Sequence, residues 1–175
     1  MSEQYYVTLS EKPAVNTASF ATWVLNKTQL QGVLQNEASQ TWTLSTVSTR
    51  TTKTNAFHPT AMARREVPKP IQQYLRKLDK RTNPGKVLYH GCGRDTHGIA
   101  AMSRGGRDVV VPYDPHHPDS AVRVLPNDKF DEVFSIYTLN VVNREVGMTI
   151  LSQIEQRLMD TGVAVIAVRR DLQTG

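Results

Sequence analysis

Four short apolar runs alternate with amphipathic stretches between residues 86 and 168, and this alternation constrains the fold more than any other feature. The runs are "KVLY", "VVV", "VFSIY" and "VAVIAV". The intervening "THGIAAMSRGG" and "NREVGMTILSQIEQRLMD" have helical spacing, and Gly105–Gly106 and Gly162 are expected to end the two helices. Strands that are apolar throughout are typical of a parallel sheet covered on both faces. The sequence therefore predicts an α/β fold with a doubly wound, mostly parallel sheet.

Residues 1–57 differ from the rest of the chain because Thr, Ser, Gln and Asn dominate and hydrophobic residues are scattered. We predict a small N-terminal β or α+β appendage here, followed by an α/β domain over residues 58–175. Within that domain, an amphipathic helix is expected at residues 70–80. The run "AVRVL" at 121–125 is expected to be a short third strand.

Composition limits the cellular location and the kinds of cysteine site that we expect. No apolar run is long enough for a transmembrane helix, and the N-terminus lacks the basic and apolar regions of a secretory signal. The single cysteine, Cys92, excludes an internal disulfide and a zinc cage built from cysteines. We therefore expect a cytoplasmic protein that does not associate with membranes.

Positive charge is concentrated in one segment. Residues 50–81 carry nine Lys or Arg side chains against two carboxylates, whereas the remainder of the chain is net negative although the whole carries +5. A concentrated basic segment suits a polyanion such as nucleic acid. A solvated helix face is the equally weighted alternative.

The turn "GCG" after the first apolar run is the first candidate for a ligand site. Gly91 allows a tight turn, and Gly93 lets the backbone approach a ligand without a Cβ atom. Asp114 stands at the end of the next predicted strand, where a carboxylate can accept hydrogen bonds from ribose hydroxyls. This order of strand, glycine turn, helix, strand and acid predicts a nucleoside ligand.

The residues after the turn favour a nucleoside without phosphates. A dinucleotide fingerprint would place its third glycine at position 96, which is Thr96 here. Asp95 lies where a pyrophosphate would meet the helix N-terminus and would repel it. S-adenosylmethionine, with its cationic sulfonium and ammonium groups, fits better and is the predicted cofactor.

Several of these motifs together resemble the class I S-adenosylmethionine-dependent methyltransferases. More narrowly, the chain resembles the group of DNA phosphorothioation-associated putative methyltransferases, through "TAMARREVPKP", "GCGRD", "YDPHHP" and "YTLNVVNRE". The resemblance covers residues 60–172. It implies a Rossmann-like methyltransferase sheet and a methyl acceptor that is a nucleic acid or a nucleotide-related molecule.

The chain departs from that family in two places. The family usually has an acid two residues before the first glycine, where this chain has Tyr89; Asp95 is a candidate to take over its contact with the methionine ammonium group. The family fold usually also continues past the fifth strand with a β-hairpin, and here only "RRDLQTG" follows. We expect N-terminal strands at residues 5–9 and 41–49 to cover that edge, because an uncovered edge invites aggregation.

Site residues follow from the two loops, the family resemblance and the basic segment. Cofactor contacts are expected from Tyr89, Gly91, Cys92, Gly93, Asp95, Asp114 and Pro115. Catalytic contacts to the acceptor are expected from Asn140, whose amide oxygen can accept from an amine, and from Tyr137, which can stack on a base. Substrate contacts are expected from Arg64, Arg65, Lys69 and His116.

Alternatives remain open for several of these residues. Asn140 can instead cap the helix that begins near Asn143 or order its own loop, and His90 can be a base or a polar packing group near the ligand. No metal is expected. A methyltransferase-fold module that binds cofactor or partner without turnover is the main alternative function, and a nicotinamide-dependent oxidoreductase is the second.

Overall fold

The computed structural model describes residues 11–39, 63–79 and 85–169, which form one six-stranded sheet with helices around it. Its strands are β1 (Val15–Asn16), β2 (Phe20–Asn26), β3 (Gly85–His90), β4 (Arg107–Tyr113), β5 (Phe130–Ile136) and β6 (Leu158–Arg169). Its α-helices are α1 (Lys27–Ser39), α2 (Lys69–Gln73), α3 (Thr96–Arg104) and α4 (Arg144–Arg157). A π-helical turn, Tyr74–Leu78, continues α2, and a 3₁₀ turn, Thr138–Val141, follows β5.

The strand order is β1-β2-β6-β5-β3-β4. Four strands run parallel, since β3 pairs with both β4 and β5, and β5 pairs with β6. The predicted α/β class with a mostly parallel sheet is thus confirmed. The chain leaves β3 for β4 on one side and then returns to β5 on the other, so the connections reverse direction at β3.

Alternating side chains of the strands enter two separate cores, one on each face of the sheet. Leu88 and Val133 face the core that α1 and α4 cover with Leu30, Leu151 and their neighbours. Val87 and Phe134 face the other core, which α2, the π turn and α3 cover. Burial on both faces explains why the central strands are apolar without a polar alternation.

The edge beside β6 is covered by the N-terminal part of the chain. Strand β2 pairs antiparallel with β6 from Phe20 opposite Arg169 to Asn26 opposite Val163, and β1 pairs antiparallel with β2. The strands expected at residues 5–9 and 41–49 lie outside the described residues. The described N-terminal strands therefore belong to the same sheet as the α/β domain.

Two local predictions were wrong. Residues 121–125 lie in a turn region and do not form a third strand. Among the described strands, β4 therefore pairs only with β3. It carries Pro112, and proline is typical of edge strands. Gly162 does not end a helix, because α4 ends at Arg157 and Gly162 lies within β6. A Cβ atom on Gly162 would come within 2.9 Å of the Asp131 carbonyl oxygen, so close packing against β5 requires glycine.

A buried charge network joins β4, β5 and the π turn at the end of the sheet opposite the glycine loop. The Arg107 guanidinium makes two bonds to Glu132, with Nε–Oε1 at 2.8 Å and Nη2–Oε2 at 2.9 Å, and a third to Asp79 at 2.9 Å. The Tyr74 hydroxyl donates to Glu132 at 2.6 Å, and burial together with the Glu132 charge raises the pKa of Tyr74. Each charge therefore has its partners inside the protein.

Candidate functional site

The loop after β3 is a glycine turn that is tied to the end of β4. The Gly91 and Cys92 amides both donate to the Tyr113 carbonyl oxygen, at 2.7 and 3.0 Å. Gly91 and Gly93 have φ values of +73° and +58°, a region that residues with a side chain rarely adopt. A Cβ atom on Gly91 would also collide with the Thr138 side chain. The turn therefore needs glycine for its backbone conformation and for its close approach to the loop after β5.

Asp114 connects the same turn to the loop after β4. Its Oδ2 accepts from the Gly93 amide at 2.9 Å, and its Oδ1 accepts from the His116 amide at 2.8 Å. The side chain is buried at the wall of a cavity of about 360 Å³. Two neighbouring loops are thus held in a fixed relation by one carboxylate that also borders open space.

This cavity lies at the carboxyl ends of β3, β4 and β5. Of the predicted cofactor contacts, Gly91, Cys92, Gly93, Asp114 and Pro115 line it; of the predicted acceptor contacts, Arg64, His116, Tyr137 and Asn140 line it. Four predicted site residues are not brought to it: Tyr89, Asp95, Arg65 and Lys69. Arg65 and Lys69 are exposed to solvent instead.

Tyr89 and Asp95 form a buried pair with each other. The Tyr89 hydroxyl donates to Asp95 Oδ2 at 2.6 Å, while Asp95 Oδ1 accepts from the Gly98 amide at 2.9 Å and so caps α3. Burial, and then the charge of Asp95, raises the pKa of Tyr89 well above its usual value. Both oxygens of Asp95 have partners inside the protein, so the structure assigns Asp95 a capping role.

Cys92 is a buried thiol rather than a nucleophile. Its Sγ donates to the Gly93 carbonyl oxygen at 3.1 Å. Burial, with a smaller contribution from the Asp114 charge, raises the pKa of the thiol to about 12. Because only the thiolate is an effective nucleophile, Cys92 fills space beneath the turn.

Tyr137 begins the loop after β5 in a strained conformation. Its φ of +66° is the one positive value that the described residues show outside glycine, and such a conformation costs on the order of 1–3 kcal/mol. The guanidinium groups of Arg64 and Arg169 both lie over its ring, each with Cζ 5.3 Å from the ring centroid. Burial raises the pKa of Tyr137 although both arginines oppose this, so the phenol stays protonated.

Asn140 attaches this loop to β6. Its Oδ1 accepts from the Arg169 amide at 2.7 Å, and its Nδ2 donates to the Arg169 carbonyl oxygen at 3.1 Å. Asn143, not Asn140, caps α4 by accepting from the Val146 amide at 2.9 Å. Of the roles considered for Asn140, the ordering of its own loop is the one that the contacts show.

Sequence reasoning did not anticipate the wall that α4 contributes. Val146, Thr149, Ile150 and Gln153 line the cavity from one face of this helix. Their spacing of three and four residues places them on one face of the helix and could have indicated this wall. The same spacing is found in a helix that packs only against the core, so it does not distinguish the two cases. Gln153 also bonds His90, the last residue of β3, with Nε2 2.7 Å from the amide oxygen.

Two further observations concern metal ions and membranes. Across residues 11–39, 63–79 and 85–169, no three His, Cys, Asp or Glu side chains gather where a metal ion could bind. None of the described helices is long and apolar enough to cross a membrane.

No family model, curated protein or solved structure gives a match to this chain.

Proposed function

We propose that this protein binds S-adenosylmethionine at the carboxyl ends of β3, β4 and β5 and transfers its methyl group to a nucleic acid or a nucleotide-related acceptor. One observation carries the proposal: the carboxylate of Asp114 holds the Gly91–Gly93 turn by the Gly93 amide at the wall of the cavity. That pairing of a glycine turn with an acid on the next strand is how nucleosides are held in doubly wound sheets.

The position of the cavity supports the proposal. In open α/β sheets, ligands bind outside the carboxyl ends of the strands, where the connections reverse. Here the reversal occurs at β3, between β4 and β5, and the cavity is bordered by the loops after all three strands. A Rossmann-like methyltransferase sheet has this arrangement.

Asp114 retains the capacity to hold a ribose. Each of its oxygens accepts one backbone hydrogen bond, and an ionised carboxylate offers about four acceptor positions. Two hydroxyls of a sugar can therefore bond to the same carboxylate without displacing the loop. The contacts already present also fix its orientation before a ligand binds.

The acid at the start of α3 favours S-adenosylmethionine over a dinucleotide. Asp95 caps this helix by accepting from the Gly98 amide, so a carboxylate already lies at the helix end where a pyrophosphate would bind. A nicotinamide dinucleotide would bring two negative charges to that place. S-adenosylmethionine carries no phosphate, and its one carboxylate is accompanied by an ammonium and a sulfonium cation.

The covered edge of the sheet is a third support. The resemblance implies a hairpin beside the fifth strand of the methyltransferase fold, with an antiparallel strand next to it. In this chain, β1 and β2 supply such a hairpin beside β6 from the N-terminal side. The sheet is therefore completed by a different part of the chain in the same place.

The acceptor side of the site is basic. Arg64 and Arg169 border the cavity beside Tyr137, and no carboxylate of the described residues pairs with either guanidinium. Guanidinium groups beside an aromatic ring at the wall of a cavity suit the phosphates and bases of a nucleic acid. When bound, the cofactor supplies the methyl group; Tyr137 and the two arginines orient the acceptor, and Asn140 ties the loop that Tyr137 begins to the end of β6.

A specific observation also favours a second function, a module that binds the cofactor without turnover. Asp114 is the one carboxylate among the described residues of the cavity wall, since Asp95 bonds Tyr89 and Gly98 inside the protein. A methionine ammonium group thus lacks the acid that the family usually provides at position 89.

Calorimetry with S-adenosylmethionine, S-adenosylhomocysteine and NAD tests the binding part of the proposal. We expect both S-adenosyl compounds to bind and NAD not to bind. Transfer of radiolabelled methyl groups to DNA, RNA and protein then tests turnover. Binding without label in any pool would support the module, and absence of S-adenosyl binding would remove both functions.

A further inference from the structure

Two arginines and one tyrosine form a cluster of uncompensated positive charge in the wall of the cavity. The guanidinium Cζ atoms of Arg64 and Arg169 each lie 5.3 Å from the centroid of the Tyr137 ring. The two Cζ atoms therefore cannot be further apart than twice this distance. None of the ion pairs among the described residues includes either arginine. Two like charges this close repel each other, and an anion that lies near both relieves the repulsion.

Both arginines extend from backbone that other contacts hold in place. The Asn140 side chain accepts from the Arg169 amide at 2.7 Å and donates to the Arg169 carbonyl oxygen at 3.1 Å. Arg64 follows Ala63, which forms a parallel bridge to Arg94 in the loop after β3. The two cations are thus brought to one ring by separate parts of the chain.

Tyr137 has the features of a residue that is kept for its position. Its φ of +66° is strained, and such strain persists only where the surrounding structure over-determines the conformation. Its amide donates to the Ala167 carbonyl oxygen at 2.8 Å. The ring is half-buried and packs against the core that α2 and α3 cover. Two guanidinium groups and this core contact the ring, so little of it remains for a nucleic acid base to stack on.

A guanidinium group that lies over a ring keeps its donors available to a ligand. The donors lie in the plane of the group, so contact between its face and a ring does not use them. None of the hydrogen bonds within the described residues uses the guanidinium of Arg64 or Arg169. Holding a flexible arginine in place also reduces the entropy that it loses when it binds an anion. Phosphate oxygens are acceptors that match this planar fork of donors.

We propose that Arg64, Tyr137 and Arg169 form a phosphate-binding site in which Tyr137 is a positioning residue, because its ring holds both guanidinium groups where they bind phosphates of a nucleic acid strand. This inference rests on the proposed function, since it takes a nucleic acid as the acceptor. Tyr137 then acts on the acceptor through the arginines and not by stacking on a base. Removal of the ring should therefore weaken binding as strongly for a strand without bases as for one with bases.

Two fluorescently labelled strands of equal length test the inference by anisotropy: oligothymidylate, and an abasic strand with the same sugar-phosphate backbone. Tyr137→Leu removes the ring but no charge, and it should weaken binding of both strands by the same factor, about threefold to tenfold. Tyr137→Phe keeps the ring and should restore binding of both strands to within about twofold of the unaltered protein. When Arg64→Ala and Arg169→Ala are already present, Tyr137→Leu should change binding by about twofold or less.

A second measurement uses the unaltered protein, so it does not depend on whether a variant folds. The NMR signals of the Nε–H groups of Arg64 and Arg169 should shift when either strand is added, and by the same amount with both. The Nε–H signal of Arg104, which is exposed at the end of α3, should shift less. The ring signals of Tyr137 should respond alike to the two strands, whereas a base stacked on the ring would shift them further with oligothymidylate.

The outcomes separate this inference from the proposed function. A loss in Tyr137→Leu that is confined to oligothymidylate, or an equal loss in Tyr137→Phe, would overturn the positioning role. Equal losses for both strands that disappear without the arginines would support it. If neither strand binds, the inference is wrong and so is the nucleic acid acceptor. Calorimetry with S-adenosylhomocysteine is independent of these strands, so absence of its binding would remove the proposed function and leave the result for this site unchanged.

Discussion

The Asp114 side chain has two roles: it holds the glycine turn through the Gly93 amide, and it borders the proposed ribose site. Replacing it with Ala should weaken S-adenosylhomocysteine binding by about tenfold to 100-fold, since hydrogen bonds to a charged acceptor are worth about 1.5–3 kcal/mol. Calorimetry measures the change. Asp108→Ala, at an exposed position on β4, is the matched control and should bind like the unaltered protein. Equal affinity in the two variants would show that the ribose lies elsewhere.

His90 should make the free energy of unfolding depend on pH. Its pKa is about 4 in the folded protein against 6.5 for an unperturbed imidazole, so between these values the unfolded chain binds a proton that the folded chain does not. Stability should therefore fall as the pH drops from 6.5 to 4, by on the order of 3 kcal/mol from this residue. Urea unfolding at several pH values should show a smaller fall in His90→Phe, whereas a fall of the same size would contradict the burial of a neutral ring.

At the scale of elements, the turn after β3 depends on its first glycine. Gly91→Ala should destabilise the protein by about 1–3 kcal/mol, because its φ is positive and the new methyl group would meet Thr138. Gly32→Ala is the opposite case: it lies in α1 with nothing near its would-be Cβ, and it should stabilise by about 0.5–1 kcal/mol. Urea unfolding compares them. Similar changes in the free energy of unfolding in both variants would mean that the turn does not require glycine at position 91.

The buried network couples β4 to β5 at the opposite end of the sheet. Arg107→Leu should cost about 3–5 kcal/mol, since it leaves the fully buried Glu132 charged and without its cation. Arg107→Leu combined with Glu132→Leu should cost less than the sum of the single changes, with a coupling on the order of 1–3 kcal/mol. Chemical unfolding of the three variants measures this cycle. Strictly additive costs would show that the pair contributes as separate residues.

Most of the elements that the sequence predicted are those whose apolar pattern matches their burial. Strands β3, β5 and β6 are apolar because both faces of their central residues are covered, and α3 ends at its glycine pair as expected. Strand β4 is apolar as well, although it lies at the sheet edge and most of its residues are exposed or half-buried. The hydrophobic residues around β2 fit neither the period of a strand nor that of a helix, because the strand runs directly into α1. The helix begins at Lys27, the residue after the end of β2, so the two periodicities follow each other without a loop between them. The run "AVRVL" has the composition of a strand, yet pairing depends on a neighbour, which local sequence does not reveal.

For the whole site, sequence reasoning identified residues on loops better than the contacts between them. The glycine turn and Asp114 were predictable because each occupies a fixed place after a strand. The pairing of Tyr89 with Asp95 was not, because it depends on a buried hydroxyl meeting a helix cap. The wall from α4 was also missed, since a residue spacing that fits a core fits a cavity equally well.

The charge of the whole molecule gives a test of the acceptor class. Arg64 and Arg169 lie over the Tyr137 ring and pair with no carboxylate of the described residues, so both should contact phosphates. Each contact to a single strand adds about 0.7 to the slope of log affinity against log salt. Short single-stranded DNA, titrated at several salt concentrations, should therefore show a smaller slope with Arg64→Ala or Arg169→Ala, and the smallest with both changes. Arg104→Ala, an exposed arginine at the end of α3, is the matched control. Because any cation attracts DNA at long range, only a loss specific to the two cavity arginines supports a nucleic acid acceptor; equal slopes in all variants would indicate that the acceptor carries no phosphate there.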